Sequence, residues 1–210
     1  MCKHVDGRRL VRSAALAGLS ALIAGCAAHP NERVTGDGGS ALLRVSSRQV
    51  TVDLTDAERD ALSHIQDHTL GNIGGKQALT ATVATLGKMG FDPVKADQEM
   101  SLVEGERNRI VGERWRAAIR ALLKAKGLPL RGKPDHESIH ALISVRPDQT
   151  GPGTTLVRAR FDVTVWDTNG DSRTTTLQQE AVYQCFFAGL DRALSGQTVD
   201  GDLACLNGNG

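Results

Sequence analysis

Between residues 154 and 167 apolar and polar side chains change places at every step. Val157, Ala159, Phe161, Val163 and Val165 interleave with Arg158, Arg160, Asp162, Thr164 and Trp166. A period of two marks a strand with one face buried and the other open. Asn169-Gly170 follows and supplies the pair that a two-residue type I′ turn requires, so residues 172–177 are expected to return as the partner strand. The same alternation runs through Ile139, Ala141, Ile143 and Val145 against His140, Leu142, Ser144 and Arg146, and Pro147 closes it. A first strand is expected over residues 48–54, where Val50, Thr51 and Val52 concentrate β-branched side chains. Residues 91–94 and 100–105 are expected to form a short hairpin.

Elsewhere the spacing is helical. Thr55 and Glu58 have capping-box spacing ahead of Ala61, Leu62 and Ile65, which predicts a helix running past His64 and His68 until Gly71 and Gly74-Gly75 break it. Leu79, Val83 and Leu86 form one stripe over residues 76–89, stopped by Gly90. A second amphipathic helix is expected over residues 110–126, with Trp115, Ala118, Ile119, Leu122 and Leu123 on its apolar side. A last one, over residues 179–194, sets Val182, Tyr183, Phe186, Phe187, Leu190 and Leu194 on a face that covers a sheet. Together these elements predict an α+β domain, a mainly antiparallel sheet packed with two or three helices, in an arrangement that resembles helix-grip folds.

The first 26 residues follow a different logic. Lys3, Arg8, Arg9 and Arg12 precede a short apolar run over residues 13–25 that ends in small residues and Cys26. A basic start, a short apolar core and small residues before a cleavage point are the parts of an export signal. Ile23-Ala24-Gly25-Cys26 resembles a lipobox, in which the cysteine sulfur takes a diacylglycerol and its freed amine a further acyl chain. A membrane-spanning anchor needs about 20 apolar residues, and this run stops short at polar His29, Asn31, Glu32 and Arg33. Ala27 stands where proteobacterial lipoproteins that stay in the inner membrane carry aspartate, so the resemblance points to the outer membrane, facing the periplasm. The expected organisation is a signal peptide over residues 1–25, a lipidated flexible tether over 26–40, one periplasmic domain over 41–197 and a Gly-rich tail over 198–210.

Removing the signal takes four basic residues and one acidic, leaving 21 basic against 23 acidic. That balance, with no basic patch interleaved with aromatics, gives no reason to expect nucleic acid. Of the four cysteines, Cys2 leaves with the signal and Cys26 goes to lipid. Cys185 and Cys205 remain, and an oxidising periplasm favours their pairing, with a buried Cys185 thiol and a free Cys205 as the alternative.

One catalytic motif stands in the chain. His136-Glu137-Ser138-Ile139-His140 spells H-E-x-x-H, which on a helix places two histidines one turn apart on a zinc ion and a glutamate beside the bound water. Here the following residues alternate as a strand, and a strand separates the two histidines by about 13 Å. Ile143 and Arg146 stand where a metzincin extension needs glycine and histidine, and Glu180 is the only, weak candidate for the downstream helical glutamate of a gluzincin. His136 and His140 are therefore weak metal candidates beside the expectation of no metal and no cofactor. The glycine loop over residues 71–75 lacks the lysine and hydroxyl of a phosphate loop and reads as a break between helices.

The segments Met89-Gly90-Phe91, Ser101-Leu102-Val103-Glu104-Gly105, Val157-Arg158-Ala159-Arg160-Phe161, Val165-Trp166-Asp167-Thr168-Asn169-Gly170 and Tyr183-Gln184-Cys185-Phe186-Phe187 resemble a group of uncharacterised proteobacterial outer-membrane lipoproteins. The resemblance covers most of residues 76–196 and implies fold and location, with no activity. The expected function is a non-enzymatic accessory or structural protein, held to the membrane by its N-terminal lipid, that binds another envelope component. Arg158, Arg160, Thr164 and Trp166 on the open face of the long strand are the partner-binding candidates. The alternatives are a carrier of a small molecule or lipid, and, further off, a zinc metallopeptidase.

Overall fold

A computed structural model describes residues 31–36, 47–110, 124, 132–149, 151 and 153–197. The elements run β1 (Glu32–Thr35), β2 (Gln49–Val52), α1 (Asp56–Ser63), β3 (Asp67–Gly71), α2 (Gly75–Lys88), β4 (Val94–Asp97), β5 (Leu102–Ile110), β6 (Pro134–Pro147), β7 (Thr154–Asp167), β8 (Ser172–Thr176) and α3 (Glu180–Leu194). The described strands make one eight-stranded sheet in the order β1-β2-β8-β7-β6-β5-β4, with β3 paired to the first part of β7. Every pairing is antiparallel except β2 with β8. The chain is thus α+β with a mainly antiparallel sheet and three described helices, the class its periodicities predict.

The alternation in β6 and β7 decides the layers. Ile139, Ala141, Ile143 and Val145 lie in register with Val163, Phe161, Ala159 and Val157, and apart from Val163, which is partly buried, these side chains are buried on the inner face. That face meets the buried residues of α2, among them Ala78, Leu79 and Leu86, and of α3, among them Tyr183, Phe186 and Leu190. Phe161 sits among Phe91, Tyr183 and Phe186, with ring centroids 6.2, 5.4 and 5.7 Å away. The spacing and edge-on angles of the last two pairs are those aromatic rings prefer. A Cβ at Gly105 would stand 3.2 Å from the Phe91 Cβ, so that register position of β5 is kept for glycine by close packing.

Four local expectations are corrected. Residues 32–35, read as tether from their polar, Gly-rich surroundings, form β1 at a sheet edge. Distant partners complete the strand: Arg33 forks onto Asp53 at 2.7 and 2.8 Å, and Glu32 pairs with Arg173 at 2.9 Å. The described domain accordingly starts at Asn31. The first helix keeps its capping box, the Thr55 hydroxyl accepting from the Glu58 N–H and the Glu58 carboxylate from the Thr55 N–H, but ends at Ser63. The chain then enters β3, held against β7 by Asp67 and Arg158, so Gly71 ends a strand and the glycine loop joins β3 to α2. Ile110 closes β5, and the remainder of the helix expected over residues 110–126 lies outside the described residues, apart from Lys124, which is helical.

The fourth correction is the turn after β7. Gly170 has a φ of +76° while Asn169 keeps a negative φ, which a type I′ turn does not allow. The Gly170 N–H donates to the Asp167 carbonyl at 2.8 Å and the Asp167 N–H to the Asp171 carbonyl at 2.9 Å, a type I turn with glycine in the left-handed position that follows it. Asp167 imposes this form. Its buried carboxylate accepts from the N–H groups of Asn169 at 2.8 Å, Asp171 at 3.0 Å and Gly132 at 2.7 Å, capturing the turn it begins.

Candidate functional site

With the inner face packed by helices, the other side of each strand forms an outer face. Arg158, Arg160, Asp162, Thr164 and Trp166 of β7 lie there beside Ser144, Leu142, His140, Ser138 and His136 of β6, in that order of register. Leu102, Glu104, Glu106, Asn108 and Ile110 of β5 continue the rows. All four partner-binding candidates thus share one side of one strand.

Their polar groups are already engaged within the sheet. Arg158 donates from Nε and Nη2 to the two oxygens of Asp67, each at 2.6 Å, and that carboxylate holds the guanidinium pKa above its ordinary value against the opposing cost of burial. Arg160 donates from Nε to Asp162 at 3.0 Å and from Nη2 to the Thr176 hydroxyl at 2.9 Å, and Thr176 donates to Asp162 at 2.6 Å. The Thr164 and Thr174 hydroxyls share a hydrogen bond of 2.8 Å. These contacts fasten β3, β7 and β8 together across the outer face.

Trp166 differs. Its ring stacks on the His136 imidazole with centroids 4.6 Å apart and planes 9° from parallel. Ile110 is next in register beyond His136, and its side chain is 83% exposed. One end of the outer face therefore presents a row of Ile110, His136 and Trp166, in which the imidazole lies flat on the indole while its Nδ1 meets the Asp135 carboxylate at 3.2 Å. The sequence does not show this row, because the helical spacing of residues 110–126 claims Ile110, which the structure gives to β5. The run of polar residues Glu106, Arg107, Asn108 and Arg109 carries no apolar alternation, so the extension of β5 to Ile110 is set by its pairing with β6.

The H-E-x-x-H motif lies wholly within β6. His136 and His140 are on the outer face, about 13 Å apart along the strand, while Glu137 points the opposite way, is 4% exposed and pairs with Arg109 at 2.8 Å. Two imidazoles on one ion with a glutamate beside the bound water is not an arrangement these five residues form. Among the described residues no three His, Cys, Asp or Glu side chains are grouped to hold a metal. His64 and His68 do not share a helix face either. His64 ends α1, whereas His68 on β3 stacks on Phe187 at 4.9 Å and bonds Asp191 of α3 at 2.9 Å.

Cys185 is partly buried on α3 and is not a free thiol. Cys205, like Cys26, lies outside the described residues, so the pairing of Cys185 with Cys205 is carried forward as a proposal. An open cleft of about 640 Å³ lies where the glycine loop meets the ends of β6 and β7, lined among others by Asn72, Gly74, Lys76, Ser101, Arg146 and Thr155. It opens at the end of the layer between sheet and helices, where the core residues Leu79 and Val145 also line it. No family model matches the chain, and neither a curated protein nor a solved structure matches it.

Proposed function

We propose that the chain is a lipid-anchored lipoprotein of the outer membrane, facing the periplasm, whose domain is a non-enzymatic accessory or structural subunit that binds another envelope component. It resembles the uncharacterised proteobacterial outer-membrane lipoproteins in the segments quoted above. Acylated Cys26 is its anchor, and a disulfide between Cys185 and Cys205 ties its tail to α3. The observation that carries the binding role is the row of Ile110, His136 and Trp166, an exposed apolar side chain beside a stacked aromatic pair on a face where Arg158, Arg160 and Thr164 are engaged within the sheet. Aromatic anchors beside apolar surface, ringed by polar groups, are the composition of interface centres.

The test is cross-linking in cells from a photoreactive residue placed at Ile110, with Lys88 on α2 as control. One envelope protein captured from position 110, absent from position 88 and lost on Trp166→Ala, is the expected result. Equal capture from both positions, or capture indifferent to Trp166→Ala, contradicts it. The cleft beside the glycine loop favours the carrier as second reading. A bound molecule of constant mass in native mass spectra of the purified protein would support that reading over the first.

A further inference from the structure

The strand β1 limits how far the domain stands from its anchor. Asn31 is fixed to the fold, its carbonyl accepting from the Asp53 N–H at 2.7 Å, and Glu32 begins the strand. From Cys26 to Asn31 the chain advances five residues, which span at most about 18 Å when fully extended. A free tether reaching residue 40 extends to roughly 50 Å by the same measure. The polar layer of a bilayer takes about 5–8 Å of this reach. What remains is on the order of 10 Å, about one layer of side chains.

From this we infer that β1 is the membrane-facing edge of the domain, a short strap that seats against phospholipid headgroups. The inference rests on the proposed acylation of Cys26. The exposed groups of β1 suit such a surface. Val34, 45% exposed, is one of three large apolar side chains left open among the described residues, and the neighbouring Arg33 side chain is 72% exposed beside Asp53. The sheet order then sets the rest of the domain. Six strand spacings of about 4.8 Å place β4 some 29 Å across the sheet from β1. Ile110, on β5, is one strand nearer, so the outer-face row faces partners in the aqueous space rather than lipid.

The full chain, left in the membrane of a Gram-negative host, tests this with a photoreactive residue at Thr35 on β1 or at Lys95 on β4, read as phospholipid adducts by mass spectrometry. The expected result is several-fold more lipid adduct from position 35 than from position 95. The excess is expected to vanish when about 20 Gly-Ser residues, worth roughly 25 Å of added reach, are inserted between Pro30 and Asn31. Equal adducts at the two positions, or an excess that survives the insertion, overturn the placement. The N-terminal peptide of the same sample separates the two failures. An unacylated Cys26 overturns the anchor and the placement together, while an acylated Cys26 with equal adducts overturns the placement alone.

Discussion

The Glu32 carboxylate on β1 lies 2.9 Å from the Arg173 guanidinium on β8, with β2 between the two strands. Both side chains are under a tenth exposed, so this pair is closed off from water, unlike the open pair of Arg33 and Asp53 beside it. Removing one member of a buried pair leaves the other charge uncompensated. Glu32→Ala is predicted to lower the stability of the chain from residue 27 by about 3 kcal/mol in urea unfolding, and Glu32→Leu with Arg173→Met to recover most of that loss. A Glu32→Ala protein as stable as its parent contradicts the place of β1 in the fold.

Thr82 on α2 is fully buried, and its hydroxyl has no hydrogen-bond partner among the described residues. The hydroxyl of Thr85, one turn on and equally buried, donates to the Ala81 carbonyl at 2.8 Å. Thr82→Val is predicted to raise stability by about 1 kcal/mol, because it removes a desolvated polar group without changing shape. Thr85→Val is predicted to bring no such gain, and denaturant midpoints for the two variants distinguish them.

Tyr183, the one tyrosine of the chain, has its pKa pushed up to about 12 by burial. The folded protein therefore keeps this phenol protonated where the unfolded chain, with the ordinary value near 10, has lost the proton. The stability tied to that proton is whole below pH 10 and is lost as pH rises towards about 12. Tyrosinate absorbance is predicted to stay absent from the folded protein at pH 10 and to appear with unfolding. Tyr183→Phe is predicted to flatten this part of the stability profile.

The strand geometry of residues 136–140 leads to a prediction about metal. Purified protein is predicted to hold no stoichiometric zinc and to cleave no peptide, with His140→Ala indistinguishable in both assays. One zinc per chain, lost together with a peptidase activity in His140→Ala, contradicts the proposed role.

Elements set by their own periodicity were legible in the sequence. β7 was expected over residues 154–167 and forms there, and α2 and α3 fall within one residue of their stripes. The misses share a cause. β1 and β3 are short and carry little pattern of their own, and each is held by charged partners far along the chain, Arg173 for Glu32 and Arg158 for Asp67. The turn failed similarly, because the carboxylate of Asp167 outweighed the preference of Asn169-Gly170. At the candidate site, alternation placed Arg158, Arg160, Thr164 and Trp166 on one face but said nothing of who holds the arginines. Cross-strand register alone joins His136 and Ile110 to Trp166.

The lipid anchor is the claim on which location, reach and partner all depend. The direct measurement is the mass of the N-terminal peptide of the full chain extracted from the membrane of a Gram-negative host. The account predicts a mature chain that begins at Cys26 and carries acyl chains on its sulfur and amine. A chain that retains residues 1–25, or that begins elsewhere with an unmodified Cys26, contradicts it.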